Sequence, residues 1–97
     1  MLIVAGHFEL DPADRDAFLT GRSPGMIATR AEPGCLEYVM SADPIDETRV
    51  MLYERWEDQD AFNAHMAALS SGPKYVGPAP KGFNVKIYDI EGVRDFG

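Results

Sequence analysis

Few side chains in this 97-residue chain can carry a proton back and forth near neutral pH. Two are histidines, His7 and His65, and a single thiol, Cys35, is the one other soft nucleophile. His65 lies in AFNAHMAAL, residues 61–69, where a helical period of about 100° per residue sets it between Ala61 and Leu69. Phe62 and Met66 share that apolar arc, so the imidazole faces a packed layer. It is either a core histidine satisfied by one partner or the base of a pocket. His7 sits late in the first apolar run, between Gly6 and Phe8; the missing side chain at Gly6 leaves room for a ligand or a passing backbone. Glu54 and Trp56 are two residues apart and project together from a strand, the indole as core filler or as a flat wall for a planar ligand. Phe62 is a second candidate wall, and Tyr53 and Tyr75 are candidate donors to a developing oxyanion.

Other chemistries lack their residues. Two histidines and one cysteine without close ligand spacing predict no metal centre. No glycine-rich phosphate loop, Walker sequence or nucleophile elbow is present, so no nucleotide cofactor is expected. Arg22, Arg30, Arg49 and Arg55 read as surface charges, one of which could meet an anionic ligand. The formal charge of −7 repels phosphate backbones, which argues against nucleic acid as a partner. An unpaired cysteine fits a reducing cytoplasm. The apolar start, MLIVAG, is too short for a membrane span and lacks a basic flank, so neither a membrane partner nor a signal peptide is expected.

The elements that must position these residues follow from hydrophobic period and punctuation. Residues 2–10 read as a strand. Asp11-Pro12 opens a helix, Asp11 serving as its cap, and Gly21 with Pro24-Gly25 should kink or split it before Glu32-Pro33-Gly34 stops it. Residues 35–41 form a second strand, with Leu36, Tyr38 and Met40 on one face, and 48–56 a third. Acids at 57–60 open a second helix to about Leu69; 70–82 is a long Pro- and Gly-rich loop; 83–90 is the last strand; 91–97 is a tail. The order β-α-β-β-α-β predicts one α+β domain over 1–97, a ferredoxin-like sandwich with two helices on one face of a four-stranded antiparallel sheet. Strand one is apolar on both alternating sets, Leu2, Val4, Phe8 and Met1, Ile3, Ala5; strand three sets Val50 and Leu52 against Met51 and Tyr53. The face away from the helices therefore needs a cover, and a second copy of the chain is the simplest one.

Glu32-Pro33-Gly34-Cys35, Asp43-Pro44, Tyr53-Glu54-Arg55-Trp56, Ala61-Phe62 and Ala64-His65-Met66 together resemble the antibiotic biosynthesis monooxygenase family in order and spacing over residues 2–90. The resemblance implies a dimeric α/β barrel, a homodimer built from two such sheets, with a pocket between helices and sheet in each protomer. It implies a cofactor-independent monooxygenase of a quinol, phenol or anthrone, using dioxygen, with His65 or His7 as base; a non-catalytic small-molecule binder and a cofactorless isomerase are the alternatives. Ser70 stands where quinol-oxidising and isomerase members carry a second histidine. Leu52 and Phe62 replace an amide and a tyrosine of anthrone oxidisers, and Tyr75 replaces the ligand histidine of haem degraders.

Overall fold

The computed structural model describes Met1 to Gly97. Four strands and two helices run in the expected order: β1 Leu2–Glu9, α1 Arg15–Arg30, β2 Cys35–Ala42, β3 Arg49–Trp56, α2 Gln59–Ala68 and β4 Gly82–Asp89. The sheet order is β2-β3-β1-β4 and every neighbouring pair is antiparallel. No helix is long and apolar enough to cross a membrane.

Pairing decides which residues face the helices. Leu2, Val4 and Phe8 of β1 stand opposite Trp56, Glu54 and Val50 of β3, and four of these positions, Leu2, Val4, Val50 and Trp56, belong to the nine-residue core. Ile3, Ala5 and His7 pair with Arg55, Tyr53 and Met51 on the other, outer face. The second strand departs from simple alternation. An irregularity between Cys35 and Glu37 puts Leu36 outside the ladder, half exposed, so Cys35, Tyr38 and Met40 share the inner face.

Two expectations for α1 fail. A short 3-10 turn, Pro12–Asp14, precedes it, and the Asp11 carboxylate does not cap it; that carboxylate pairs instead with Lys81 Nζ at 2.7 Å. The helix also runs unbroken through Pro24. Proline there removes one backbone donor, a cost of about 3 kcal/mol in an isolated helix. Phe18 and Thr29, buried on either side of it, hold the helix against the sheet and offset that loss. Gly21 has a different purpose: a Cβ at this position would run into the Val76 carbonyl, so glycine admits the loop that follows α2.

The second helix starts as its sequence suggests. Asp58 accepts from Ala61 N–H at 2.8 Å, satisfying one free donor of the first turn. Gly34, at φ +82°, turns the chain from α1 into β2, and a side chain there would strike Ala61. That close approach seats α2 beside Glu32.

Candidate active site

One carboxyl group is buried in the apolar half of the molecule. Glu54 is 6% exposed, between Leu52 and Trp56 on the inner face of β3. Trp56, fully buried, donates from Nε1 to Glu54 Oε1 at 2.9 Å. Burial raises the Glu54 pKa above the ordinary carboxylate value; the indole hydrogen bond and the nearby His65 pull it down, and Glu32 pushes it up. The net direction is upward, which describes a carboxylate that holds a proton more tightly than one in water.

Glu54 opens onto a cleft of about 290 Å³ between α2 and the inner sheet face. Its other lining is apolar throughout: Val4, Leu52, Phe62, Met66, Phe83 and Ile87 among them. The far wall belongs to β4, which no helix covers, so Phe83 remains 71% exposed and the cleft is open on that side. The volume suits a ligand of one or a few fused rings, near the lower end of ordinary small-molecule sites.

His65 is elsewhere. It is 4% exposed, with its ring centroid 4.7 Å from that of Trp56 and tilted 32° to it. Its Nδ1 lies 2.8 Å from Glu32 Oε2, a contact that ties α2 to the segment just after α1. His65 borders a separate shallow groove with Glu32, Pro33 and Ala61 and does not line the Glu54 cleft. A chain of contacts thus runs from half-buried Glu32 through His65 and Trp56 to Glu54.

The remaining candidates separate. Phe62 does form a wall of the cleft, whereas Trp56 lies beneath it, closed off from solvent. His7 and Tyr53 are on the outer sheet face, away from His65 and Glu54; His7 Nε2 is 3.6 Å from Glu9 Oε1. The space expected beside Gly6 is taken by the β4 backbone at Asn84. Tyr75 packs on Phe18, lies under Arg22, and donates its hydroxyl to the Pro78 carbonyl. A phenol so engaged, outside the cleft lining, does not fit the place of a haem ligand.

Two contributors carried no candidate role in the sequence. Tyr38 faces Glu54 across the β2–β3 ladder, and its phenol is pushed up to about 12, first by burial and then by the Glu54 charge. Glu32 meets His65 across 33 residues of sequence. Cys35, next to both carboxylates, has its thiol pushed up by burial and by Glu32 and Glu54, which makes it a poor thiolate.

An α+β ferredoxin-like sandwich enclosing an apolar cleft with one buried carboxyl is therefore the class that fold and site define. A family model described as antibiotic biosynthesis monooxygenase matches residues 1–70, and the chain belongs to that family. Solved structures agree in fold over nearly the whole chain. A Deinococcus radiodurans protein assigned to the same family superposes with a TM-score of 0.74 at 20% identity, covering 100% of both chains. The haem-degrading protein MhuD of Mycobacterium tuberculosis, solved with two haems in its active site, gives 0.74 at 18% identity, also covering 100% of both chains. An uncharacterized Synechocystis protein is 25% identical over 64 residues, 66% of this chain. The match spans 44% of that relative's length.

Proposed function

We propose that the chain is a cofactor-independent monooxygenase of a small aromatic substrate with an acidic C–H or O–H group, an anthrone, quinol or phenol. Glu54 is the base. The observation that carries this reading is that Glu54 is the single polar side chain lining an otherwise apolar cleft. Leu52 and Phe62, the positions where anthrone-oxidising members carry an amide and a tyrosine, both line that cleft and are both apolar here. Proton removal is thereby left to the carboxylate.

For a methylene substrate the step balances without any further reagent. The carboxylate takes one C–H proton, and the resulting carbanion gives electrons to dioxygen. A C–O bond forms, the O–O bond breaks, the second C–H proton is lost, and the products are a ketone and water. A base with a raised pKa suits this because it holds the proton firmly enough to return it to the departing oxygen. Apolar walls on the α2 and sheet sides limit the water around the carbanion, the side at Phe83 remaining open.

Oxygen uptake with an anthrone and a quinol, measured for wild type and Glu54→Gln, tests the reading. A loss of about 10²-fold or more in the variant, with ligand binding retained, supports it. Binding of these compounds without oxygen uptake in wild type overturns it in favour of a non-catalytic binder. We further propose a homodimer in which a second copy covers the outer face at Ile3, Ala5, Val39, Met51 and Tyr53. Sedimentation should give a dimer for wild type and a single subunit for Tyr53→Lys; a wild-type protein that sediments as one subunit removes the dimer.

A further inference from the structure

Arg22 carries the one buried side-chain nitrogen that lacks a partner: its Nε is shut off from solvent and makes no hydrogen bond. The guanidinium lies over the ring of Tyr75, 3.9 Å from its centroid, and 5.0 Å from that of Phe18. Those rings account for the face of the guanidinium and leave its in-plane N–H groups unexplained. Carboxylates are plentiful in this chain, and Arg49, Arg55 and Lys81 each hold one. Arg22 holds none, and neither does Lys74.

These two cations line the same small cavity, about 80 Å³, between α1, the loop after α2 and the inner face of β2. Thr29, Tyr38 and Met40 contribute to its lining, and no carboxylate does. Two unpaired positive charges, three hydroxyl-bearing residues (Thr29, Tyr38 and Tyr75, the last already donating to the Pro78 carbonyl) and no acid, in a protein of charge −7, form the reverse of the surrounding field.

We propose that this cavity binds the carboxylate of a small organic acid, received by the terminal Nη groups of Arg22, with Lys74 as the second charge and Thr29 and Tyr38 as neutral donors. A guanidinium stacked on the Tyr75 ring presents a flat fork, which matches two coplanar oxygens better than a tetrahedral phosphate. At about 10–15 Å³ per water-sized position, the volume holds a carboxylate with a short substituent. Tyr38 keeps its proton at neutral pH, as a donor to an anion must. Tyr38 also stands opposite Glu54 in the ladder, which sets the cavity on the same sheet face as the apolar cleft, with no lining residue shared between the two. The carboxylate comes either from a free acid or from a substituent of a ring lying in that cleft; the site itself stands whatever Glu54 does.

Amide NMR titrations of the full chain with acetate, benzoate and inorganic phosphate test the assignment. Acetate should produce saturable shifts at Gly21, Gly25 and Thr29, weakened about ten-fold or more in Arg22→Gln. Because Arg22 also packs on two rings, Lys74→Met, at an exposed position, provides an independent variant and should weaken acetate by several-fold. Shifts confined to these residues with both acids identify a free acid. Additional shifts at Phe83 and Ile87 with benzoate identify a carboxylate carried on a cleft ligand. Absence of saturable shifts, affinities unchanged in both variants, or phosphate binding more tightly than acetate overturns the assignment.

Discussion

Trp56 Nε1 donates to Glu54 Oε1 across 2.9 Å, between side chains two residues apart on one face of β3. This bond holds a carboxylate in an apolar layer. It supplies one charge-assisted donor where water is excluded, and it leaves the rest of the carboxylate for the cleft.

Replacing the indole tests that relationship. Trp56→Phe keeps an aromatic ring in the core and deletes the N–H. The buried carboxylate then loses its donor, at a cost of about 1–3 kcal/mol seen by urea unfolding at neutral pH. The pH at which oxygen uptake reaches half its maximum should move upward, since the bond favours the ionised form. An unchanged pH profile would show that the bond does not govern Glu54.

Glu54 also links stability to pH, and the direction is opposite to that of a surface carboxylate. Its folded-state pKa lies above the ordinary 4.5, so the folded protein binds this proton more tightly than the unfolded chain. Its contribution is fully favourable below 4.5 and is lost as pH rises through the higher folded value. Glu54→Gln, which keeps an acceptor for Trp56, should therefore gain melting temperature relative to wild type at pH 8 and lose that advantage near pH 4. Parallel melting curves across this range would contradict it.

His65 and Glu54 can be distinguished as bases by one pair of variants. His65→Gln should retain oxygen uptake within about ten-fold of wild type, because the imidazole lies outside the cleft, whereas Glu54→Gln should not. Equal collapse of both, with folded spectra, would restore the imidazole to the chemistry.

Gly21→Ala introduces a methyl group against the backbone of the loop that follows α2. We expect a loss of about 1–3 kcal/mol and faster proteolysis within residues 70–81, with the α2–sheet cleft preserved. Wild-type resistance to protease would mean that the loop yields without cost.

Much of the architecture is written locally. The apolar, β-branched runs at residues 2–9 and 49–56, the Asp58 cap and the Glu32-Pro33-Gly34 stop place every strand and helix within a few residues. The pairing of Glu54 with Trp56 follows from a spacing of two on a strand, and the position of His65 among Phe62 and Trp56 follows from the helical period. Where alternation is broken, as at Leu36, the face is misread, because an extra residue in a strand leaves no compositional mark.

Period alone does not say which side of a strand meets the helices. Both alternating sets of β1 are apolar, so nothing in residues 2–9 sends His7 to one face or the other; packing against Phe18 and Phe62 chose Leu2, Val4 and Phe8, and His7 and Tyr53 went outward with the rest. Contacts between distant segments are equally silent in the chain. Glu32 reaches His65, Tyr38 opposes Glu54, and Arg22 settles on Tyr75 only once α1, the hairpin and the loop after α2 have closed over a common layer. Local stereochemistry determines which way neighbouring side chains point relative to each other, while burial of the whole apolar surface decides what they point at.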